Sequence, residues 1–243
     1  MWQTIKPEKI LFLDIETVPM AATYDQLSES MKRFWDKKSR YLMKEDQTPA
    51  DLYDQKAGIY AEFGKVICIV CGIFIEKEGK RFIRIKTLAG EDERKILEAF
   101  ASILDRHSST GQYLCAHNGK EFDFPFLARR MLINGIKLPD ILNVSGMKPW
   151  ETPFLDTLEF WKFGDYKHYT SLDLLAHLFG IPSPKSDIDG SMVGKVYWED
   201  RDLQRIARYC RADVLALMQL FLRFRGEALV TPECIEEVQH EGE

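Results

Sequence analysis

Four carboxylates fall in three short stretches of the chain. Asp14 and Glu16 lie in Ile10-Leu-Phe-Leu-Asp-Ile-Glu-Thr17, Asp123 in Asn118-Gly-Lys-Glu-Phe-Asp-Phe-Pro125, and Asp213 in Tyr209-Cys-Arg-Ala-Asp-Val214. Each is set inside or against an apolar run, where an ionised group is costly unless something compensates it. The compensation suited to four oxygen-only ligands is a pair of hard divalent cations, Mg²⁺ or Mn²⁺. Two such ions about 3.5–4 Å apart can stabilise the attacking and leaving oxygens of a phosphodiester together.

These side chains need elements that bring them to one place. Residues 9–15 read as a strand, and because positions two apart share a face, Ile10, Phe12, Asp14 and Glu16 project the same way. Ligands in open α/β sheets gather where such strands end. Residues 66–75 and 81–88 read as two further strands joined by a hairpin-like turn at 76–79, and residues 91–107 have helical spacing. A short strand is expected over 112–116 and a helix over 122–134, with Pro125 in its first turn. Residues 155–158 suggest a fifth strand, and Thr170 to Asp173 resembles a capping box opening a helix that Gly180 ends.

A long helix is expected over 201–225. Its apolar stripe is Leu203, Ile206, Ala207, Cys210, Val214, Leu217, Phe221 and Phe224; Asp213 falls within that arc, and Tyr209 lies on its flank one turn earlier. A strand hairpin followed by alternating helices and short strands implies an α/β protein with a mixed central sheet and helices on both faces, a ribonuclease H-like three-layer α/β/α fold. The domain spans 1–225. Residues 20–63 interrupt it as a helical insertion, with Leu27, Met31, Phe34 and Tyr41 at helical spacing in a basic segment and a second helix from Thr48-Pro49 to Phe63. Residues 226–243 read as a loosely held acidic tail.

Composition narrows the function classes. At 243 residues and 45% hydrophobic, the chain has ample material for one core. It shows neither a signal peptide nor an apolar run of membrane-spanning length, so a cytoplasmic protein with no membrane partner is expected. Cys68 and Cys71 form a C-x-x-C within a strand, where residues three apart face opposite ways and cannot share a metal; buried, reduced thiols are expected. The net charge of −5 argues against extensive gripping of a nucleic-acid backbone and favours a small footprint on a strand end.

The three acidic stretches resemble the three exonuclease motifs of the DEDD superfamily of 3′-5′ exonucleases, most closely the stand-alone family related to the exonuclease domain of family B DNA polymerases. Asp14-Ile-Glu16-Thr17 is similar to the first motif, Asn118-x-x-x-Phe122-Asp123-x-Pro125 to the second and Tyr209-x-x-x-Asp213 to the third, in the family's order over residues 9–224. The histidine variant carries His five residues before the last Asp, where this chain has Arg208; Tyr209 stands four before, as in the tyrosine (DEDDy) class. The resemblance implies that Asp14, Glu16 and Asp213 hold one metal, that Asp14 bridges to a second reached by Asp123, and that Tyr209 orients the attacking water. It also implies a single-stranded DNA or RNA 3′ end as partner, with Thr17, Asn118, Phe122 and His168 as candidate substrate contacts. Any proofreading would act in trans on an unidentified replication or repair partner.

Plainer readings accompany these. His117 reads as a structural histidine, and Asn118 serves equally as the cap of the turn before Gly119. Lys167 and His168 fit a solvated loop, and Gly190 and Gly194, near Lys185 and Lys195, form no phosphate-binding pattern. The insertion is either a strand-gripping lid or an amphipathic helix packed on the domain. Two other functions remain open: an oligoribonuclease-like phosphodiesterase for very short oligonucleotides, and an inactive nucleic-acid-binding module.

Overall fold

A computed structural model of the chain describes residues 2–44, 46–109, 112–165, 169–182 and 187–238. Strand β1 (Ile10–Pro19) lies centrally in a six-stranded mixed sheet whose order is β5 (Phe154–Asp156), β4 (Tyr113–Ala116), β1, β2 (Gly64–Lys77), β3 (Lys80–Ala89) and β6 (Ile235–Val238). It pairs antiparallel with β2, which forms a hairpin with β3. On the other side β4 runs parallel to β1 and β5 parallel to β4.

The period-two pattern of β1 fills two cores at once. Ile10 and Phe12 join Cys68, Val70, Ile83 and Ile85 against α8 (Leu203–Phe224). Leu11, Leu13 and Ile15 join Ile69, Cys71 and Leu88 against α3 (Glu93–Ser108) and α4 (Asp123–Ile133). Helices therefore cover both faces of the sheet. Contact between α8 and the sheet is close at Gly72, where a Cβ would stand 2.6 Å from Sδ of Met218. Cys68 and Cys71 point into opposite cores as free buried thiols.

A buried ion pair joins the elements on the α3 and α4 side. Arg130 donates from Nε to Oε1 of Glu93 at 2.8 Å, from Nη2 to Oε2 at 2.5 Å, and from Nη1 to the Ala61 carbonyl at 2.8 Å. The Val66 N–H donates to the same carboxylate at 2.8 Å, so the pair's polar atoms are satisfied where they are buried.

The insertion carries a small core of its own around Trp35, which is fully buried and donates from Nε1 to the Pro49 carbonyl at 2.7 Å. Helix α1 (Glu29–Ser39) opens on Ser28, and α2 (Pro49–Lys56) opens on a reciprocal Thr48–Asp51 capping box. Two expectations need correction. Phe34 and Tyr41 are 61% and 86% exposed, because the buried stripe passes through Trp35 instead. Helix α2 ends at Lys56, followed by a 3-10 turn at Ala57–Ile59, and does not reach Phe63.

Residues expected as a loose tail continue the fold as far as Val238. Gln219 bonds both backbone groups of Val230, Glu227 pairs with Arg81, and β6 (Ile235–Val238) adds a parallel edge strand to β3. The fifth strand is also shorter than expected. It ends at Asp156, which caps α5 (Thr157–Lys162), so Leu158 is helical. Helix α6 (Leu172–Leu178) is capped by Ser171, one residue later than the Thr170 start read from the sequence, and the short α7 (Val193–Lys195) precedes α8.

Candidate active site

Strand β1 extends past its acids, which corrects the placement of Asp14 and Glu16 at a strand terminus. Asp14 is paired with Val70 and Glu16 with Cys68 on β2. Strand β4 stops earlier, pairing only with Ile10 to Phe12, and leaves the β1 edge open beyond that point. The β1–β2 register shifts between Glu16 and Thr17, leaving Ile67 over on β2. Bulges of this kind twist a strand and re-aim its side chains.

The loop after β4 fills the open edge. Its shape is set by Asp156, whose carboxylate accepts the backbone N–H groups of Asn118 at 2.9 Å, Lys120 at 3.1 Å and Leu158 at 2.9 Å. Asn118 adopts a left-handed φ of 62°, and Gly119 follows it so closely to β4 that a Cβ would lie 2.3 Å from that of Ala116. This turn delivers Asp123 as the first residue of α4. The backbone N–H groups of Asp123 itself and of Ile15 offset part of its burial.

His117 is locked beside this loop. Its Nε2 lies 2.8 Å from the Thr170 carbonyl and Nδ1 lies 2.9 Å from the Thr157 hydroxyl. A carbonyl only accepts, so Nε2 carries the proton and Nδ1 accepts from Thr157. Burial holds its pKa below the ordinary histidine value, which leaves a neutral structural ring.

Helix α8 supplies the third group from the opposite layer. Cys210 Sγ donates to Oδ2 of Asp14 at 3.3 Å, and the Tyr209 hydroxyl donates to the Asp213 carboxylate one turn on. Asp14, Glu16, Asn118, Phe122, Asp123, Tyr209 and Asp213 all line one cleft of about 1030 Å³. Thr17 faces an adjoining cleft of about 540 Å³, with its hydroxyl donated to the Gly58 carbonyl at 2.8 Å. His168, Lys167 and Lys185 lie outside the described residues.

The electrostatics of the cleft are one-sided. Burial holds the carboxyls of Asp14 and Glu16 well above their ordinary values, followed at Asp14 by the neighbouring acids and at Glu16 by Cys68 and then Asp213 and Asp123. Burial is also the main cause that pushes Asp123 up to about 7 and Asp213 up to about 6. No cationic side chain among the described residues lowers any of the four, and Oδ1 of Asp123 is buried without a hydrogen-bond partner. An oxygen-rich pocket of uncompensated acids with an orphaned, buried carboxylate oxygen fits hard divalent cations.

The sequence reading missed three residues here. Asp156 carries a signal, since Asp156-Thr-Leu-Glu159 has capping-box spacing, but the strand expected over 155–158 takes Asp156 into its interior. Tyr169 lines the same cleft edge-on to His117, at a centroid distance of 6.3 Å; burial and then Asp123 and Asp14 raise its phenol. Cys210 read only as one of the core stripe.

The sheet order and the acids converging from β1, α4 and α8 define a ribonuclease H-like domain with a carboxylate-lined site. Over residues 59–233 the sequence matches a family described as "Predicted 3′-5′ exonuclease related to the exonuclease domain of PolB", and the chain belongs to that family. The matched stretch contains Asp123, Tyr209 and Asp213 and begins after Asp14 and Glu16, which join them through the fold. The fold is similar to that of the family B DNA polymerase from the hyperthermophilic archaeon Pyrobaculum calidifontis, with a TM-score of 0.56 and 17% identity. That similarity covers 90% of this chain and 24% of the polymerase, so the chain spans about a quarter of that protein's length. No curated protein matches the sequence. Among the described residues no helix is long and apolar enough to cross a membrane.

Proposed function

We propose that the protein is a metal-dependent 3′-5′ exonuclease of the tyrosine (DEDDy) type, which removes nucleoside 5′-monophosphates from the 3′ end of single-stranded nucleic acid. The observation that carries this reading is the convergence of Asp14, Glu16, Asp123 and Asp213 in one cleft without a cationic partner among the described residues. Asp14, Glu16 and Asp213 would hold one Mg²⁺ or Mn²⁺, and Asp14 with Asp123 a second. Bound there, the pair would supply a nucleophile at neutral pH and charge stabilisation for the phosphodiester.

The chain's own groups do the positioning. Tyr209 stays a neutral phenol, because burial and the charges of Asp213 and Glu16 raise its pKa; it orients a water and does not act as its base. The half-buried Phe122 ring stands at the junction of the two clefts, where it would stack on a base, and Asn118 lines the main cleft with it. Thr17, whose hydroxyl is engaged by Gly58, lines the adjoining cleft.

One observation favours a second reading, a phosphodiesterase acting on very short oligonucleotides. The described lining of the main cleft includes Asp173, Asp187 and Asp189 and no Lys or Arg, so the described residues offer no basic track for a long backbone. Single-stranded DNA and RNA of graded length, labelled at either end and incubated with Mg²⁺ or Mn²⁺, test both. A ladder shortening from the 3′ end of long strands supports the exonuclease, and turnover confined to dinucleotides supports the alternative. Absence of cleavage would leave the inactive binding module.

A further inference from the structure

Asp14, Glu16 and Cys210 each offer one ligand atom, and the three atoms lie within 4.8 Å of one another. Sγ of Cys210 is 3.3 Å from Oδ2 of Asp14, and the thiol sits wholly in the core behind the cleft. Zinc bond lengths of about 2.0–2.3 Å imply donor separations of about 3.5 Å in a tetrahedral site, so only small shifts would close the three donors on one ion. Glu16 is also nearly fully buried, with no cationic partner among the described residues.

Hardness divides the ions that could bind there. Mg²⁺ and Mn²⁺ take the carboxylates and gain little from sulfur, whereas Zn²⁺ and Cd²⁺ gain strongly from a thiolate. Cys68 stands behind the pair, opposite Glu16 on β2 and against Cys210, where its sulfur can orient the Cys210 thiol.

We infer that the cleft is also a capture site for a thiophilic divalent ion, Zn²⁺ or Cd²⁺, held by Asp14, Glu16 and Cys210, and that this ion is inhibitory because it takes the carboxylates assigned to the working metals. On binding, the Cys210 S–H bond breaks, its proton leaves to solvent and an S–metal bond forms, with no change of oxidation state. The inference rests on the metal-centre reading of the acids but adds a donor which that reading lacks.

Cd²⁺ titrated into metal-free protein tests it, with the sulfur-to-cadmium charge-transfer absorption as readout. The wild type and Cys68→Ser should show the band, and excess EDTA should abolish it. Cys210→Ser, checked by circular dichroism for its fold, should lose the band. Its Cd²⁺ affinity should fall by at least the roughly 10–100-fold that loss of even an outer-shell partner costs. Asp14→Ala should weaken the band as well. No band in the wild type, or a band that survives Cys210→Ser, overturns the inference. Calorimetry with Mn²⁺ keeps the two ideas apart: a Cys210-dependent cadmium band without Mn²⁺ binding upholds the capture site while counting against the two-metal nuclease.

Discussion

Cys210 Sγ lies 3.3 Å from Oδ2 of Asp14 and 3.5 Å from the same residue's carbonyl oxygen. The residues are 196 positions apart and meet because α8 packs directly on the face of β1 that carries Ile10 and Phe12. The thiol is a weak donor, and it alone among the described hydrogen-bonding side chains lowers the Asp14 carboxyl, whose burial and acidic neighbours all raise it. Asp14 is thus held against the core by a bond too weak to offset its desolvation. A position of that kind is costly without a cation and stabilised by one.

Removing an acid should therefore separate stability from activity. Asp14→Ala and Asp213→Ala are each expected to abolish nuclease activity while the metal-free protein keeps or gains stability, because each deletion relieves repulsion in the cluster. A gain of about 1 kcal/mol would raise the melting temperature by about 2–4 °C in a chain of this size. Melting curves in EDTA, set beside cleavage assays, check both halves. Substantial residual cleavage by Asp14→Ala would remove the two-metal assignment.

The same charges set a pH dependence. Asp123 at about 7 and Asp213 at about 6 stand above the 3.8 of an unperturbed aspartate. Between those values the native state binds more protons than the unfolded chain, so unfolding free energy falls as pH rises. The destabilisation is absent below the unfolded value and fully present above the folded ones. In EDTA the melting temperature should decline from pH 5 to pH 8; Mn²⁺ should flatten the decline and displace protons near pH 6 as it binds. A melting temperature in EDTA that rises over this range would contradict the uncompensated cluster.

Activity should require Mg²⁺ or Mn²⁺ and be lost on chelation. Ca²⁺ should bind and inhibit, because its longer and less regular coordination misplaces the groups that Asp14 and Asp123 must hold in register. Calorimetry with Ca²⁺ followed by Mg²⁺ rescue assays would show this. Full turnover in metal-free buffer is the result that defeats it.

Much of the framework was legible because it rests on local periodicity. The alternation in β1 foretold which faces Asp14 and Leu13 take, and the α8 stripe placed Asp213 toward the site. What stayed hidden depends on pairing partners distant in sequence. Nothing within β1 reveals that β2 extends far enough to carry it past Glu16, or that β4 stops at Ala116 and opens an edge for Asp123. Residues 235–238 form a strand only because β3 offers a free edge. Cys210 looked like any core residue, since its distinction is the identity of the residue facing it.

Tyr209 offers the sharpest test of the proposed chemistry. Its hydroxyl reaches the site from the flank of α8 and donates to Asp213, which lowers that carboxyl against the larger effect of burial. Tyr209→Phe should slow turnover by roughly one to three orders of magnitude, spanning the cost of losing one positioned hydrogen bond in a transition state. Without the bond Asp213 is pushed higher, so the acid limb of the rate profile should move toward alkaline pH. Mn²⁺ affinity well above that limb should stay nearly unchanged, because the phenol is assigned to the water and not to the metals. Single-turnover cleavage across pH, paired with Mn²⁺ calorimetry at alkaline pH, measures all three quantities. A variant that cleaves at the wild-type rate with an unmoved profile would reduce Tyr209 to packing and leave the tyrosine subtype without a mechanism.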